Sequence, residues 1–212
     1  MGRGAASGRY ASRERAALAD LLAQVGPDAP TLCEGWTTRD LAAHLVVRAT
    51  RLDVAGGVVI RALSARLARV QDRVAARPWE TLVAQVRRRP WWSFGPLDDL
   101  ANRTEYFVHH EDVRRAQPGW EPRSLPADMA AALWPDVRLR ARLALRRTPA
   151  SVMVTAPGLP PYRAGRGGPE VVLAGAPAEL LLFLFGRQAH ARVDLTGPEG
   201  ITARMRTARY GF

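Results

Sequence analysis

Apolar residues recur every three or four positions through most of the first 145 residues, a period typical of amphipathic helices. The first such stretch begins near Tyr10 and is predicted to end at the Gly26-Pro27 pair. Further helices are predicted over residues 58–77, 80–88, 97–116 and 127–147. Pro135 lies inside the last of these and predicts either a kink or a late start.

The helix that contains His44 has a specific start signal. Thr37 and Asp40 have the hydroxyl-then-carboxylate spacing of a capping box, and they directly precede the apolar positions at Leu41 and Leu45. The Gly56-Gly57 pair is predicted to interrupt this helix.

The pattern changes after Pro149, where short β-rich runs are bounded by glycine and proline. Strands are predicted over residues 151–155 and 170–174, and a helix over residues 177–188. A last pair of strands is predicted over residues 191–195 and 201–206. We therefore expect a mainly α protein, with a helical bundle over residues 1–148 and a small α+β domain over residues 149–212.

The predicted helix over residues 97–116 carries ionisable groups on one face. Glu105 and His109 are four residues apart, so their side chains project together from adjacent turns. His44 lies on the apolar face of its own helix, which should face the bundle interior. Two imidazoles and one carboxylate form a usual ligand set of catalytic zinc sites, which keep a fourth position for water or substrate. The alternative interpretation is that His44 is a core histidine whose hydrogen bonds are satisfied, and that Glu105 and His109 form a contact on the surface.

Four other side chains are candidates for a role in this site. Asp112 lies one turn beyond His109 and could orient its imidazole. His110 and Glu111 are expected to support the site or to lie on the surface. Cys33 lacks an evident activating base, so we expect a packed side chain rather than a nucleophile.

The composition bears on the class of partner and on the compartment. The 212 residues carry 31 basic and 20 acidic side chains, a net charge of +11, and every basic residue is arginine. An excess of arginine without lysine is typical of a GC-rich genome, so we expect no nucleic-acid partner. A single cysteine excludes an internal disulfide and a cysteine-based zinc cluster. No apolar run approaches the roughly 20 residues needed to cross a bilayer, and we expect a cytoplasmic protein.

Two segments of the chain resemble a known family. Residues 33–45, which read CEGWTTRDLAAHL, resemble the opening motif of the mycothiol-dependent maleylpyruvate isomerase family, which belongs to the DinB-like group of metal-binding bundles. Residues 102–116, NRTEYFVHHEDVRRA, are similar to the second half of that signature. They look closest to an actinobacterial branch of unassigned activity. Residues 177–187 are similar to the family's small C-terminal domain.

The resemblance implies a DinB-like four-helix bundle followed by a small α+β domain. It also implies His44, Glu105 and His109 as ligands of a divalent metal ion, for which the chemistry of that set favours zinc. It implies mycothiol as a cofactor and a thiol-dependent isomerase or S-transferase that acts on a small electrophilic or dicarboxylate substrate. A non-catalytic metal-binding or interaction module is the alternative. The family's isomerase also depends on an arginine of the C-terminal domain, for which the candidates are Arg187, Arg192, Arg204 and Arg206.

Overall fold

The computed structural model describes residues 10–50, 61–91, 93 and 96–210. Contacts between residues divide the chain into two compact units, Met1–Glu121 and Pro122–Phe212. The helix predicted over residues 127–147 therefore lies in the second unit. The sequence pattern placed the boundary between the two domains later, at residue 148. The predicted interruption at Gly56-Gly57 lies outside the described residues.

The described part of the first unit contains four long helices and one short helix. The long helices are α1 (Tyr10–Val25), α2 (Thr38–Thr50), α3 (Arg61–Ala75) and α5 (Pro96–Arg114), and the short helix is α4 (Trp79–Arg87). Helix α1 packs along α5, α2 packs along α3, and α4 contacts both α1 and α2. The predicted helical bundle is therefore confirmed.

Local chemistry explains where the first two helices end and begin. Gly26 adopts φ 82°, a left-handed conformation that glycine tolerates, and its amide donates to the carbonyl of Leu22. At the start of α2, Asp40 Oδ2 accepts hydrogen bonds from the Thr37 amide at 2.9 Å and the Thr37 hydroxyl at 2.7 Å. The predicted cap is therefore confirmed.

The core of the first unit is built from the apolar faces of α1, α2, α4 and α5, together with Val74 of α3. Burial of these faces is the main force that holds the helices together. The fully buried side chains of this core are Ala11, Leu18, Ala19, Leu22, Leu41, Ala42, Ala43, Leu82 and Val113.

Several ionisable side chains are also buried in this unit, each with a partner. Arg15 Nη1 lies 3.2 Å from Asp98 Oδ2, and His110 Nδ1 lies 2.9 Å from Glu14 Oε2. Glu111 accepts a hydrogen bond from Arg115 at 2.6 Å. His110 and Glu111 are therefore interior groups, and of the two alternatives predicted for them the surface location was wrong.

The second unit combines three helices with a four-stranded sheet. Helix α6 (Ala127–Ala144) runs through Pro135 without ending or starting there. It is followed in order by β1 (Ser151–Thr155), β2 (Tyr162–Gly165), β3 (Glu170–Ala174), α7 (Pro177–Leu184), a short 3₁₀ turn (Gln188–His190), β4 (Asp194–Thr196) and α8 (Glu199–Thr207). The strand order is β2-β1-β3-β4, with β1 and β3 parallel and the outer pairs antiparallel. Every residue of α7 is buried, and α7 packs on α6.

The structure differs from the predictions for this unit in three places. The segment predicted as a strand over residues 201–206 lies in α8, where Ile201 and Met205 are four residues apart and share one helical face. Strand β2 was not predicted, because its four residues are mostly half-exposed and show no clean alternation. The helix predicted to residue 188 ends at Leu184, two residues before Gly186 at φ 88°.

In the part of the chain that the structure describes, no helix has both the length and the apolar character that crossing a membrane would need.

Candidate metal centre

The three residues proposed from spacing meet between α2 and α5. Glu105 Oε1 lies 3.4 Å from His44 Nε2 and 3.2 Å from His109 Nε2. The two imidazole rings face each other nearly edge to face, with centroids 5.4 Å apart. The structure thus brings the three side chains together, and their role as metal ligands stays a prediction.

The donor atoms have the spacing and chemistry that a divalent metal ion needs. Bonds of about 2.0–2.1 Å at tetrahedral angles separate neighbouring ligand atoms by about 3.3 Å, close to both distances around Glu105 Oε1. One atom from each of the three residues lies within 4.8 Å of the others. Because His44 and Glu105 keep 29% and 26% of their side-chain surface exposed, a solute can reach the cluster.

His109 is held from its other side by Asp112. The Nδ1 atom of His109 lies 3.0 Å from Asp112 Oδ2, and the Asp112 side chain has no exposed surface. A carboxylate next to Nδ1 favours a proton on that nitrogen. The other nitrogen, Nε2, lies on the side of Glu105 and can then offer its lone pair to a metal ion. The predicted orienting role of Asp112 therefore agrees with the contact found.

Cys33 contacts the same carboxylate, and no sequence pattern predicts this contact. Its Sγ donates to Asp112 Oδ2 at 3.2 Å and lies 4.0 Å from His109 Nδ1. The Leu32 amide donates to the Asp112 carbonyl at 3.0 Å and so fixes this loop to the end of α5. Cys33, His109 and Asp112 form a second group of potential metal donors that shares His109 with the first. Cys33 also packs against the core of the first unit, as expected.

Arg48 is a further neighbour that sequence reasoning missed. Its Nε lies 3.3 Å from Glu105 Oε1, and its Nη1 donates to Asn102 Oδ1 at 2.6 Å. Asn102 in turn donates to Asp98 Oδ1 at 2.8 Å, which connects the cluster to the buried Arg15–Asp98 pair. The signal was present, since Arg48 lies four residues after His44 and Asn102 three before Glu105, so each pair shares a helix face.

These contacts set the charge of the cluster. Burial raises the pKa of Glu105, but hydrogen bonds from His109 and His44 and the charges of His109 and Arg48 outweigh it, so that pKa falls well below its usual value. Burial lowers the pKa of His109, but contacts with Asp112, Cys33 and Glu105 have a larger opposite effect and raise this pKa well above its usual value. In the metal-free protein, Glu105 is thus anionic and His109 tends to hold a proton.

Comparison with known proteins bears on the fold. No family model matches the chain, and no curated protein matches it in sequence. Similar solved structures include a histidine-to-alanine variant of the mycothiol-dependent maleylpyruvate isomerase, with a TM-score of 0.61 and 16% identity, and the mycothiol-dependent maleylpyruvate isomerase itself, with a TM-score of 0.56 and 18% identity. Each match covers 90% of this chain and 90% of the other. The chain therefore has the fold of the mycothiol-dependent maleylpyruvate isomerase, a helical bundle followed by a small α+β domain.

Proposed function

We propose that this protein binds a divalent metal ion, zinc, through His44, Glu105 and His109, and that it catalyses a mycothiol-dependent isomerisation or S-transfer. The observation that carries the proposal is the position of Glu105 Oε1, within 3.4 Å of the Nε2 atoms of two histidines on a face that solutes can reach. The fold shared with the mycothiol-dependent maleylpyruvate isomerase supports the thiol as the cofactor.

The donor set fits the chemistry of a thiol-dependent enzyme. His44, Glu105 and His109 would hold a divalent ion as two neutral imidazoles and one carboxylate, and the remaining net charge of about +1 would favour the thiolate form of a bound thiol. His44 and His109 each supply a nitrogen, and Asp112 holds the proton of His109 on Nδ1, away from the reacting face.

Arg48 favours an anionic substrate at this site. Its guanidinium lies 3.3 Å from Glu105 Oε1 and keeps 16% of its side-chain surface exposed. The positive charge of Arg48 would attract a carboxylate of a dicarboxylate substrate toward the thiol.

The test is turnover by the metal-loaded protein with mycothiol and a panel of electrophiles that includes a cis-unsaturated dicarboxylate. An isomerase converts the dicarboxylate and returns mycothiol unchanged, whereas an S-transferase consumes mycothiol in step with the electrophile. The activity should fall by at least about a hundredfold in Glu105→Gln. It should persist in the control Glu80→Gln, which changes an exposed glutamate of α4.

The absence of turnover across the panel, with the metal bound, would contradict the catalytic part of the proposal and favour a non-catalytic metal-binding module. Activity that survives Glu105→Gln unchanged would contradict the assigned site.

A further inference from the structure

The second unit contains a cavity of about 260 Å³ between the end of α6 and helix α8. Three arginines line it: Arg147, which follows α6, Arg204 in the last turn of α8, and Arg209, which follows α8. All three are exposed, and no carboxylate is among the described residues that line the cavity. None of the three guanidinium groups makes a hydrogen bond or ion pair with another described residue. The cavity therefore concentrates positive charge that the described part of the unit does not neutralise.

The rest of the cavity wall is largely apolar. Ala144 of α6, Ile201 and Met205 of α8, and Tyr210 supply most of this surface, and Met205 and Tyr210 are buried. The volume lies just below the range of about 300–1,000 Å³ that is usual for ligand pockets. A ligand that fills this space is small and has an apolar body.

Tyr210 adds a polar group that lacks a partner. Its side chain is only 9% exposed, and its buried phenolic oxygen makes no hydrogen bond of normal geometry with a described residue. Burial raises the pKa of Tyr210 to about 12, against a smaller opposing effect of the Thr148 side chain. The phenol therefore keeps its proton near neutral pH, and its oxygen has almost no accessible surface, so Tyr210 presents its ring rather than its hydroxyl to the cavity.

Tyr210 is held in place from two sides. Arg140, itself buried, donates through Nη2 to the Tyr210 carbonyl and through Nε to the Leu184 carbonyl. The ring of Phe183 lies 5.9 Å from the ring of Tyr210. Because these contacts fix the residue, the cavity wall is preorganised and a ligand need not order it.

We propose that this cavity binds a small organic anion, a carboxylate or a phosphate monoester with an apolar body. The guanidinium groups of Arg147, Arg204 and Arg209 bind the anionic group, since arginine pairs with both carboxylate and phosphate in a bidentate manner. Ile201 and Met205 contact the apolar part of the ligand.

The test is isothermal titration calorimetry with benzoate and phenyl phosphate as anionic probes and benzamide as an uncharged probe of similar size. At least one anionic probe should bind saturably, about tenfold or more tightly than benzamide. A preference for benzoate or for phenyl phosphate distinguishes a carboxylate site from a phosphate site. Arg204→Gln should weaken that binding by about tenfold. Tyr210→Phe should leave it nearly unchanged, because the Tyr210 hydroxyl is buried away from the cavity.

A matched control is Arg206→Gln, which removes an exposed arginine from the same last turn of α8 but outside the cavity lining. It should change the affinity by no more than about twofold. Tyr210→Phe should fold with unchanged thermal stability, because it removes a hydroxyl without a partner. An equal loss in Arg206→Gln and Arg204→Gln, equal binding of benzamide, or no saturable binding of either anion at about 10 mM would overturn the proposal.

Discussion

Asp112 Oδ2 lies 3.0 Å from His109 Nδ1, less than one helical turn along α5, and is buried so completely that it must be paired. The opposite nitrogen of the same ring, Nε2, lies 3.2 Å from Glu105 Oε1. Asp112 therefore decides which nitrogen of His109 carries the proton and which faces the cluster. The proposed metal centre rests on this arrangement as much as on the three ligands.

Asp112→Asn tests the orienting contact. Asparagine has nearly the same shape as aspartate but lacks the charge that favours a proton on Nδ1 of His109, so metal affinity should fall by about 10- to 100-fold. Competition with a chromophoric chelator measures this affinity. The control is Asp72→Asn, an exposed position of α3 that should leave the affinity unchanged. An affinity equal to wild type in Asp112→Asn would show that the contact does not support the metal.

Cys33→Ala separates the two overlapping groups of donors. If His44, Glu105 and His109 hold the metal, removal of the Cys33 thiol should change the affinity by no more than about tenfold, because no ligand is lost, only contacts to Asp112 and His109. If Cys33, His109 and Asp112 hold it, the variant should lose metal almost entirely. The same chelator competition reads out both, and loss of the metal in Cys33→Ala would exclude the first group as the main site.

Metal affinity should rise with pH. Burial lowers the pKa of His109, but its contacts with Asp112, Cys33 and Glu105 outweigh this effect and raise that pKa well above 6.5. Since the metal needs the lone pair of Nε2, the proton must leave first, and the apparent affinity should increase by about tenfold per pH unit below the raised pKa. Calorimetry in buffers of different ionisation enthalpy should detect proton release on binding. An affinity that is constant from about pH 6 to about pH 8 would contradict this coupling.

Asp98→Asn should destabilise the first unit. Asp98 is 3% exposed and pairs with the buried Arg15, so the variant leaves a buried guanidinium without its counter-charge, at a cost of about 3–5 kcal/mol. The comparison is Asp20→Asn, which breaks the exposed Asp20–Arg87 pair and should cost no more than about 1 kcal/mol. Urea unfolding measures both variants. Equal effects would show that burial of the Arg15–Asp98 pair does not matter to stability.

Helical spacing was enough to predict the cluster because its members lie on regular elements. Glu105 and His109 share one face of α5 by their four-residue separation, and His44 lies on the inward face of α2. Asp112 follows from the same periodicity. Cys33 does not, since it lies in a loop 76 residues from His109 and only the tertiary fold brings the two together.

The missed elements of the second unit have a different cause. Residues 201–206 alternate apolar and polar side chains, which a strand and a short helix both allow, and the structure shows the helix. Strand β2 is only four residues long and lies at the edge of the sheet, so burial imposes little pattern on it. The buried Arg15 and Glu111 were equally unpredictable, because each is stabilised by a specific partner rather than by its own hydrophobicity.

The central claim is that one divalent metal ion is held by His44, Glu105 and His109. Elemental analysis combined with zinc affinity should find about one metal ion per wild-type chain, and a loss of affinity of at least about a hundredfold in each of His44→Ala, Glu105→Ala and His109→Ala. His190→Ala, which removes a histidine of the second unit, should keep the wild-type affinity. If all three site variants bind zinc as the wild type does, the proposed metal centre is wrong.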